Sequence, residues 1–222
     1  MDIATDTTSV VIVDDDPLVR SALTLMLGGD SGLAVVGEAP DGAAGLAASR
    51  QLRPDVVLMD IRMPVLDGID ATRALKEDDP SPQVIVLTTF DADEYVIQAL
   101  AAGADGFLLK DTSPDEIVAA IRAVADGEPM LSPGATRAVL SRIREASPDG
   151  RGDDARRALE ALTERELDVA RAVGHGLSNA EIAKRLHLSV PTVKAHVSRL
   201  FDKLQVTNRV QIAIVVHDAG ME

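Results

Sequence analysis

Five short, nearly continuous apolar runs constrain this chain more than any other feature: Val10-Val11-Ile12-Val13, Ala34-Val35-Val36-Gly37, Val56-Val57-Leu58-Met59, Val84-Ile85-Val86-Leu87 and Gly106-Phe107-Leu108-Leu109. Apolar runs without alternation suit strands buried on both faces. Segments with helical spacing lie between them, such as Leu18, Ala22, Leu25 and Met26, and the stretch from Val96 to Ala102. Strand and helix in alternation predict a parallel sheet with helices on both sides. Gly28-Gly29 and Gly103 read as helix ends. Ser113-Pro114 reads as an N-cap followed by proline at the first helical position.

The pattern changes after Asp126-Gly127-Glu128-Pro129. Ser132-Pro133-Gly134 and Ser147-Pro148-Asp149-Gly150-Arg151-Gly152 have linker composition, with room for one amphipathic helix over 135–146. From Leu162 onward three or four short helices are expected. The 222 residues suit two domains, divided as 1–127, a connector over 128–157, and 158–222. No apolar run approaches the roughly 20 residues of a membrane span. The acidic start Met1-Asp2-Ile3-Ala4-Thr5-Asp6 has no secretory pattern, so a cytoplasmic protein is expected. The absence of cysteine excludes disulfide scaffolds, zinc ribbons and thiol catalysis. Phe90, Phe107, Phe201 and Tyr95 are too few for a base-stacking platform.

A net charge of -14 argues at first against nucleic acid, but it averages two unlike parts. Residues 1–152 hold 12 Lys and Arg against 26 Asp and Glu, whereas residues 153–222 hold ten of each. Between Glu181 and Arg209 the balance is locally +4, from Lys184, Arg185, Lys194, Arg199, Lys203 and Arg209 against Glu181 and Asp202. A basic stretch in an acidic chain is a footprint for a polyanion.

Polar residues with chemical potential follow the apolar runs, where open α/β sheets place their sites. Asp14, Asp15 and Asp16 follow the first run, Asp60 the third, Thr88 the fourth and Lys110 the fifth. Neighbouring first and third strands would bring the carboxylates together, and such a cluster repels itself without a cation or proton. Mg2+ fits a small, all-oxygen set. Any one of these acids alone is an ordinary loop residue. Together, an Asp beside Mg2+ with a hydroxyl and an ammonium can accept a phosphoryl group.

In the basic half, Thr163 with Glu166 forms a capping box, Ser178 caps the next helix, and Leu188-Ser189-Val190-Pro191 turns into another. Two short helices joined by a few residues make a helix-turn-helix. On the second, Val193, Val197, Leu200 and Leu204 share a core face. Lys194, Ala195, Ser198 and Arg199 point outward or to the flanks, which makes a major-groove face, against the alternative of an ordinary solvated helix.

Residues 9–126 resemble a two-component receiver domain. Val13-Asp14-Asp15-Asp16-Pro17, Leu58-Met59-Asp60-Ile61-Arg62-Met63-Pro64, Asp67-Gly68, Thr88-Thr89 and Lys110 stand in that family's order and spacing. Residues 162–218 resemble the DNA-binding domain of the NarL/FixJ, or LuxR-type, subfamily. The match runs through Leu162-Thr163-Glu164-Arg165-Glu166, Gly176-Leu177-Ser178-Asn179-Ala180-Glu181-Ile182-Ala183 and Thr192-Val193-Lys194-Ala195-His196-Val197, then Lys203-Leu204 and Asn208-Arg209. The resemblance implies an α/β, flavodoxin-like (βα)5 receiver followed by an all-α helix-turn-helix domain. It implies a transcriptional regulator rather than an enzyme. Asp60 would accept phosphate from a sensor histidine kinase, with Asp14, Asp15, Asp60 and the Arg62 carbonyl organising Mg2+. Thr88 and Lys110 would contact the phosphoryl group, and Thr88 with Phe107 would form the switch. Lys194 and the residues at 195 and 198 would face the major groove, while Thr192, His196 and Arg209 lie near phosphates or in the fold.

The implied partners are the kinase, an inverted-repeat site on double-stranded DNA, a second copy of the chain after phosphorylation, and RNA polymerase as a further candidate; no membrane is involved. The apolar run Val210, Ile212, Ala213, Ile214, Val215 and Val216 exceeds one core stripe and suggests a pairing surface, the alternative being simple completion of the core. Two departures stand out: Asp16 replaces the subfamily's usual His, and Phe107 replaces the usual switch Tyr. Base-contacting Lys is common in the family where Ser198 stands. A haloacid-dehalogenase-like phosphatase would need a second Asp two residues after the nucleophile, where this chain has Arg62. A receiver that serves only for dimerisation is the other alternative, and labelling of Asp60 separates it.

Overall fold

The computed structural model describes residues 7–89, 93–131, 135, 139 and 151–221. Its first part alternates β1 (Thr8–Val13), α1 (Pro17–Leu27), β2 (Leu33–Ala39), α2 (Gly42–Leu52), β3 (Val56–Met59), α3 (Gly68–Lys76), β4 (Gln83–Thr88), α4 (Asp93–Ala102), β5 (Gly106–Leu109) and α5 (Pro114–Ala125). All five apolar runs are strands. The parallel sheet has the order β2-β1-β3-β4-β5-β6, where β6 (Met130–Leu131) adds to the β5 edge.

Alternate residues of each strand serve opposite faces, as a period of two requires. Val10, Ile12, Leu58, Ile85 and Leu87 pack with Leu23 and Leu27 of α1 and Ile117, Ile121 and Val124 of α5. On the other face Val11, Val13, Val57, Met59 and Val84 meet Ala71 and Leu75 of α3. Val86 and Phe107 meet Val96, Ala99 and Leu100 of α4. Because both faces of β1, β3, β4 and β5 are covered, these strands carry no polar side, whereas the edge strand β2 exposes Val36 and Glu38. The covered strands therefore run apolar without alternation.

The helical part comprises α6 (Arg151–Glu160), α7 (Glu164–Gly174), α8 (Asn179–Leu186), α9 (Val190–Leu204) and α10 (Arg209–Asp218). Capping boxes at Thr163/Glu166 and Ser178/Glu181 start α7 and α8. His187, at φ 53°, ends α8 two residues before Ser189 caps α9, so the turn is tight. Val193, Val197, Leu200 and Leu204 are buried together with Val169, Ile182, Ile212 and Val216.

Two elements lie where the sequence composition suggests a connector. β6 is only two residues long and has no periodicity to detect. α6 is mostly charged, and its apolar signal reduces to Ala155, Ala158 and Leu159, of which Ala155 and Leu159 are buried one turn apart. The helix expected over 135–146 falls outside the described residues, apart from Ala135, which is buried, and Val139, which packs against the α4 cluster.

Candidate functional site

The sheet order reverses between β1 and β3, which opens a crevice at their carboxyl ends. Val13 pairs with Met59, so the next residues, Asp14 and Asp60, leave the sheet at one level. The Asp60 N–H donates to Val13 O at 2.8 Å and the Asp14 N–H to Ala39 O at 3.1 Å, fixing both backbones. Carboxylate oxygens of Asp14, Asp15 and Asp60 lie within 4.8 Å of one another. Asp14 and Asp60 are buried, and Asp15 is exposed at the rim. Lys110, beyond β5, places Nζ 2.6 Å from Asp14 Oδ2 and 3.3 Å from Asp60 Oδ2. Thr88 closes β4, fully buried, and its carbonyl accepts from the Lys110 N–H at 2.8 Å.

Burial pushes the Asp60 carboxyl up from the ordinary range, Lys110 opposes this, and Asp14 adds to it. For Lys110, burial acts downward. The hydrogen bond to Asp14 and the charges of Asp60 and Asp14 more than offset it, so the ammonium is held above its usual value. Three oxygen donors with so much negative charge are the chemistry a hard divalent cation takes, and the residues fit Mg2+. Asp16, the third consecutive carboxylate, is not in this cluster. Its Oδ1 accepts from the Leu18 N–H at 2.8 Å and caps α1.

The loop after Asp60 is shaped by close backbone approach. A Cβ on Gly68 would fall 1.8 Å from Asp60 O, so only glycine fits there. Val65 sits at φ 67°, a strained conformation for a β-branched residue, and is 85% exposed. Arg62 reaches α4: Nη2 donates to Tyr95 Oη at 2.9 Å, and the guanidinium lies 5.4 Å from the ring centroid. Phe107 is fully buried with Ile61, Val96 and Leu100.

In the helical part, Thr192, Ala195, Ser198 and Arg199 are exposed on α9. Thr192 Oγ1 is 2.7 Å from Ser189 Oγ and completes the helix start. Lys194 is half-buried, with Nζ 3.1 Å from Asp126 Oδ1 at the end of α5. His196 is half-buried, and its Nδ1 has no hydrogen-bond partner among the described residues. Arg209 does not join this surface. It is 6% exposed, Nη1 donates to Asn179 Oδ1 at 2.7 Å, and Nη2 donates to Leu177 O. Burial lowers its pKa, against the charge of Glu128. Arg209, expected among the DNA-binding residues, therefore belongs to the fold instead, because its guanidinium is buried on acceptors within its own domain.

Residues 10–122 match the response regulator receiver domain family, and residues 160–216 match the bacterial regulatory proteins of the luxR family. The chain belongs to the LuxR-type response regulators. This two-component regulator is 41% identical over 206 residues to the nitrate/nitrite response regulator protein NarP of Escherichia coli (strain K12), covering 93% of each chain. It is 38% identical over 208 residues to the transcriptional regulatory protein LiaR of Bacillus subtilis (strain 168), covering 94% of the regulator and 96% of LiaR. Among solved structures it is similar to the response regulator ChrA of a heme-sensing two-component system, at 32% identity and TM-score 0.53, covering 98% and 100% of the two chains. It is also similar to RcsB, seen as two dimers bound to two parallel DNAs, at 25% identity and TM-score 0.56, covering 96% and 98%. The family is one of transcription regulators, not of catalytic enzymes.

The regulator also uses residues to which its sequence pattern gave no role. Asn208 is fully buried and Gln211 half-buried, and both bond to α4. Asn179 donates to Asp126 O at 2.8 Å and Glu128 Oε1 at 3.1 Å, again between the two parts. These partners lie 51 to 111 residues apart in the chain, beyond the reach of any local pattern. Among the described residues no helix is long and apolar enough to cross a membrane.

Proposed function

We propose that Asp60 accepts a phosphoryl group from a histidine kinase and that this event controls pairing and sequence-specific DNA binding. The reading is carried by the acidic triad within 4.8 Å, with the Lys110 ammonium reaching two of its members. Asp14, Asp15, Asp60 and the Arg62 carbonyl would hold Mg2+, which when bound neutralises charge on the phosphoryl oxygens. An oxygen of Asp60 attacks phosphorus, the P–N bond of the donor phosphohistidine breaks, and the imidazole leaves with the bonding electrons. Lys110 and the Thr88 hydroxyl hold the oxygens of the transferred group.

The receiver spans residues 1–127, and the DNA-binding domain spans 158–222. On α9, Lys194, Ala195 and Ser198 enter the major groove, with Thr192 and Arg199 toward phosphates. RcsB dimers on DNA support a paired, DNA-bound state for a chain of this build. Pairing runs through α10 and favours an inverted-repeat site, because two-fold protein symmetry maps onto two half-sites. A cytoplasmic location follows from partners of these kinds.

Acetyl phosphate with Mg2+ should label the wild-type chain and leave Asp60→Asn unlabelled, as read by intact-protein mass spectrometry. Equal labelling of the two proteins would place the acceptor elsewhere and overturn the reading.

A further inference from the structure

We infer that Arg20 is a positioning residue for the cation site: its guanidinium clamps the peptide unit between Asp14 and Asp15 and so sets where Asp15 meets the ion. The proposal deepens the functional reading above and rests on it for the use made of the ion, not for the clamp itself. Arg20 stands four residues after the Asp16 N-cap of α1, close to the positive end of the helix dipole. That is an unfavourable place for a cation, and two acceptors account for it. Nη1 donates to Asp14 O at 2.7 Å, and Nε lies 3.5 Å from Glu38 Oε2 on β2. Thr24 Oγ1, one turn further along α1, donates to Glu38 Oε1 at 2.8 Å and steadies that carboxylate. The Arg20 side chain is only 17% exposed, so water competes little for these contacts.

With the Arg20 bond, every polar atom of Asp14 has a partner. Its N–H donates to Ala39 O at 3.1 Å, Oδ1 accepts from the Asp16 N–H at 3.0 Å, and Oδ2 faces Lys110 Nζ at 2.6 Å. Asp15 is the opposite case: it is exposed, and its carboxylate has no hydrogen-bond partner among the described residues. Its backbone must therefore aim it. The Asp14 carbonyl and the Asp15 N–H belong to one planar unit, so fixing the oxygen fixes the plane from which Asp15 departs. A charged donor holds that oxygen roughly twice as strongly as a neutral one.

The charge of Arg20 and its geometry act on a bound cation with opposite signs. Were charge its only effect, removing the guanidinium would tighten Mg2+ binding, because one repelling group is gone. Were its role confined to the fold, stability would fall and Mg2+ affinity would stay. The clamp alone predicts weaker binding, since outer partners of metal ligands typically contribute about tenfold or more to affinity.

The test uses the full chain, wild type and Arg20→Met, which keeps the apolar stem and removes every donor. Titration with MgCl2, followed by the NMR shifts of the Asp14, Asp15 and Asp60 amides, gives the two dissociation constants. The variant's should be about tenfold higher, at unchanged helix content by circular dichroism. An unchanged or lower constant in a folded variant would overturn the clamp, as would a wild type whose amides Mg2+ does not shift. Should Arg20→Met fail to fold, Arg20→Lys makes the same comparison. Lysine keeps the charge but brings a point donor to two acceptors, so weaker binding upholds the clamp and wild-type affinity overturns it. Labelling of Asp60 by acetyl phosphate is measured on the same wild-type samples. Weakened Mg2+ binding in the variant beside an unlabelled wild type would leave the clamp standing and overturn the phosphorylation reading. Equal Mg2+ affinities beside a labelled wild type would do the reverse.

Discussion

At the scale of single residues, the acceptor loop depends on an atom that is missing. Gly68 donates its N–H to Ile61 O at 2.9 Å while its Cα passes the Asp60 carbonyl too closely for any side chain. Gly68→Ala must push the loop outward, and the overpacked site should lose about 1–3 kcal/mol of stability. Urea unfolding measures this loss, and labelling by acetyl phosphate should fall with it, because the displaced carbonyl belongs to Asp60 itself. The chemistry of this site was legible from the sequence because each participant directly follows a strand-like run. Parallel pairing then brings strand ends together without further information. Arg209 was less legible. A positive charge in a basic stretch reads as a phosphate contact, and only the acceptors on buried Asn179 and half-buried Leu177 show it to be internal.

Elements are held by contacts that differ in what they sense. Glu166 caps α7 at Thr163 and also accepts from Lys203 of α9 at 2.7 Å, which joins the two helices. The Lys203 hydrogen bond, with those from Thr163, lowers its pKa from 4.5 to about 2. A lowered carboxylate contributes stability that is complete above the unfolded value and is lost as pH falls toward the folded one. Unfolding midpoints in urea should therefore drop between about pH 5 and pH 3 more steeply in wild type than in Glu166→Gln, which keeps a cap but not the charge. Matching slopes would show that the pair is silent.

Helix α4 is tied at its first turn to the acceptor loop by Arg62 and Tyr95, and at its last turn to α10. Tyr95→Phe removes the hydroxyl partner of Arg62. It should leave labelling of Asp60 by acetyl phosphate intact while lowering the pairing proposed to follow labelling, as read by sedimentation. Strands and amphipathic helices were readable because their periodicity is written locally. β6 and α6 were not, since one is too short to repeat and the other holds its domain with two small apolar contacts.

For the whole molecule, α9 lies beside the receiver, and Lys194 meets Asp126 across a cleft of about 160 Å³. Asp126 is 74% exposed at its side chain and Lys194 41%, so this pair contributes at most about 1 kcal/mol. Asp126→Ala should accordingly tighten binding to random-sequence duplex DNA by less than about fivefold, measured by fluorescence anisotropy. Lys194→Ala should instead weaken specific binding by about 1–3 kcal/mol if the ammonium reads a base. A uniform loss on all sequences with a flatter salt dependence would mark a phosphate contact. The Lys194–Asp126 contact could not be read from the sequence, because both residues look solvent-facing within their own elements, whereas Val210 and Ile214 stood out only as apolar surplus with no partner named.

Val210 and Ile214 lie against α4, on the helix through which two copies are proposed to pair. One surface cannot make both contacts at once. Closure within a chain has a fixed effective concentration, whereas pairing between chains grows with the number of molecules present. The two compete on unequal terms, so the phosphorylation level needed for half-maximal response should fall as the cell makes more of the regulator. Abundance then acts as a second input, set by expression and independent of the kinase.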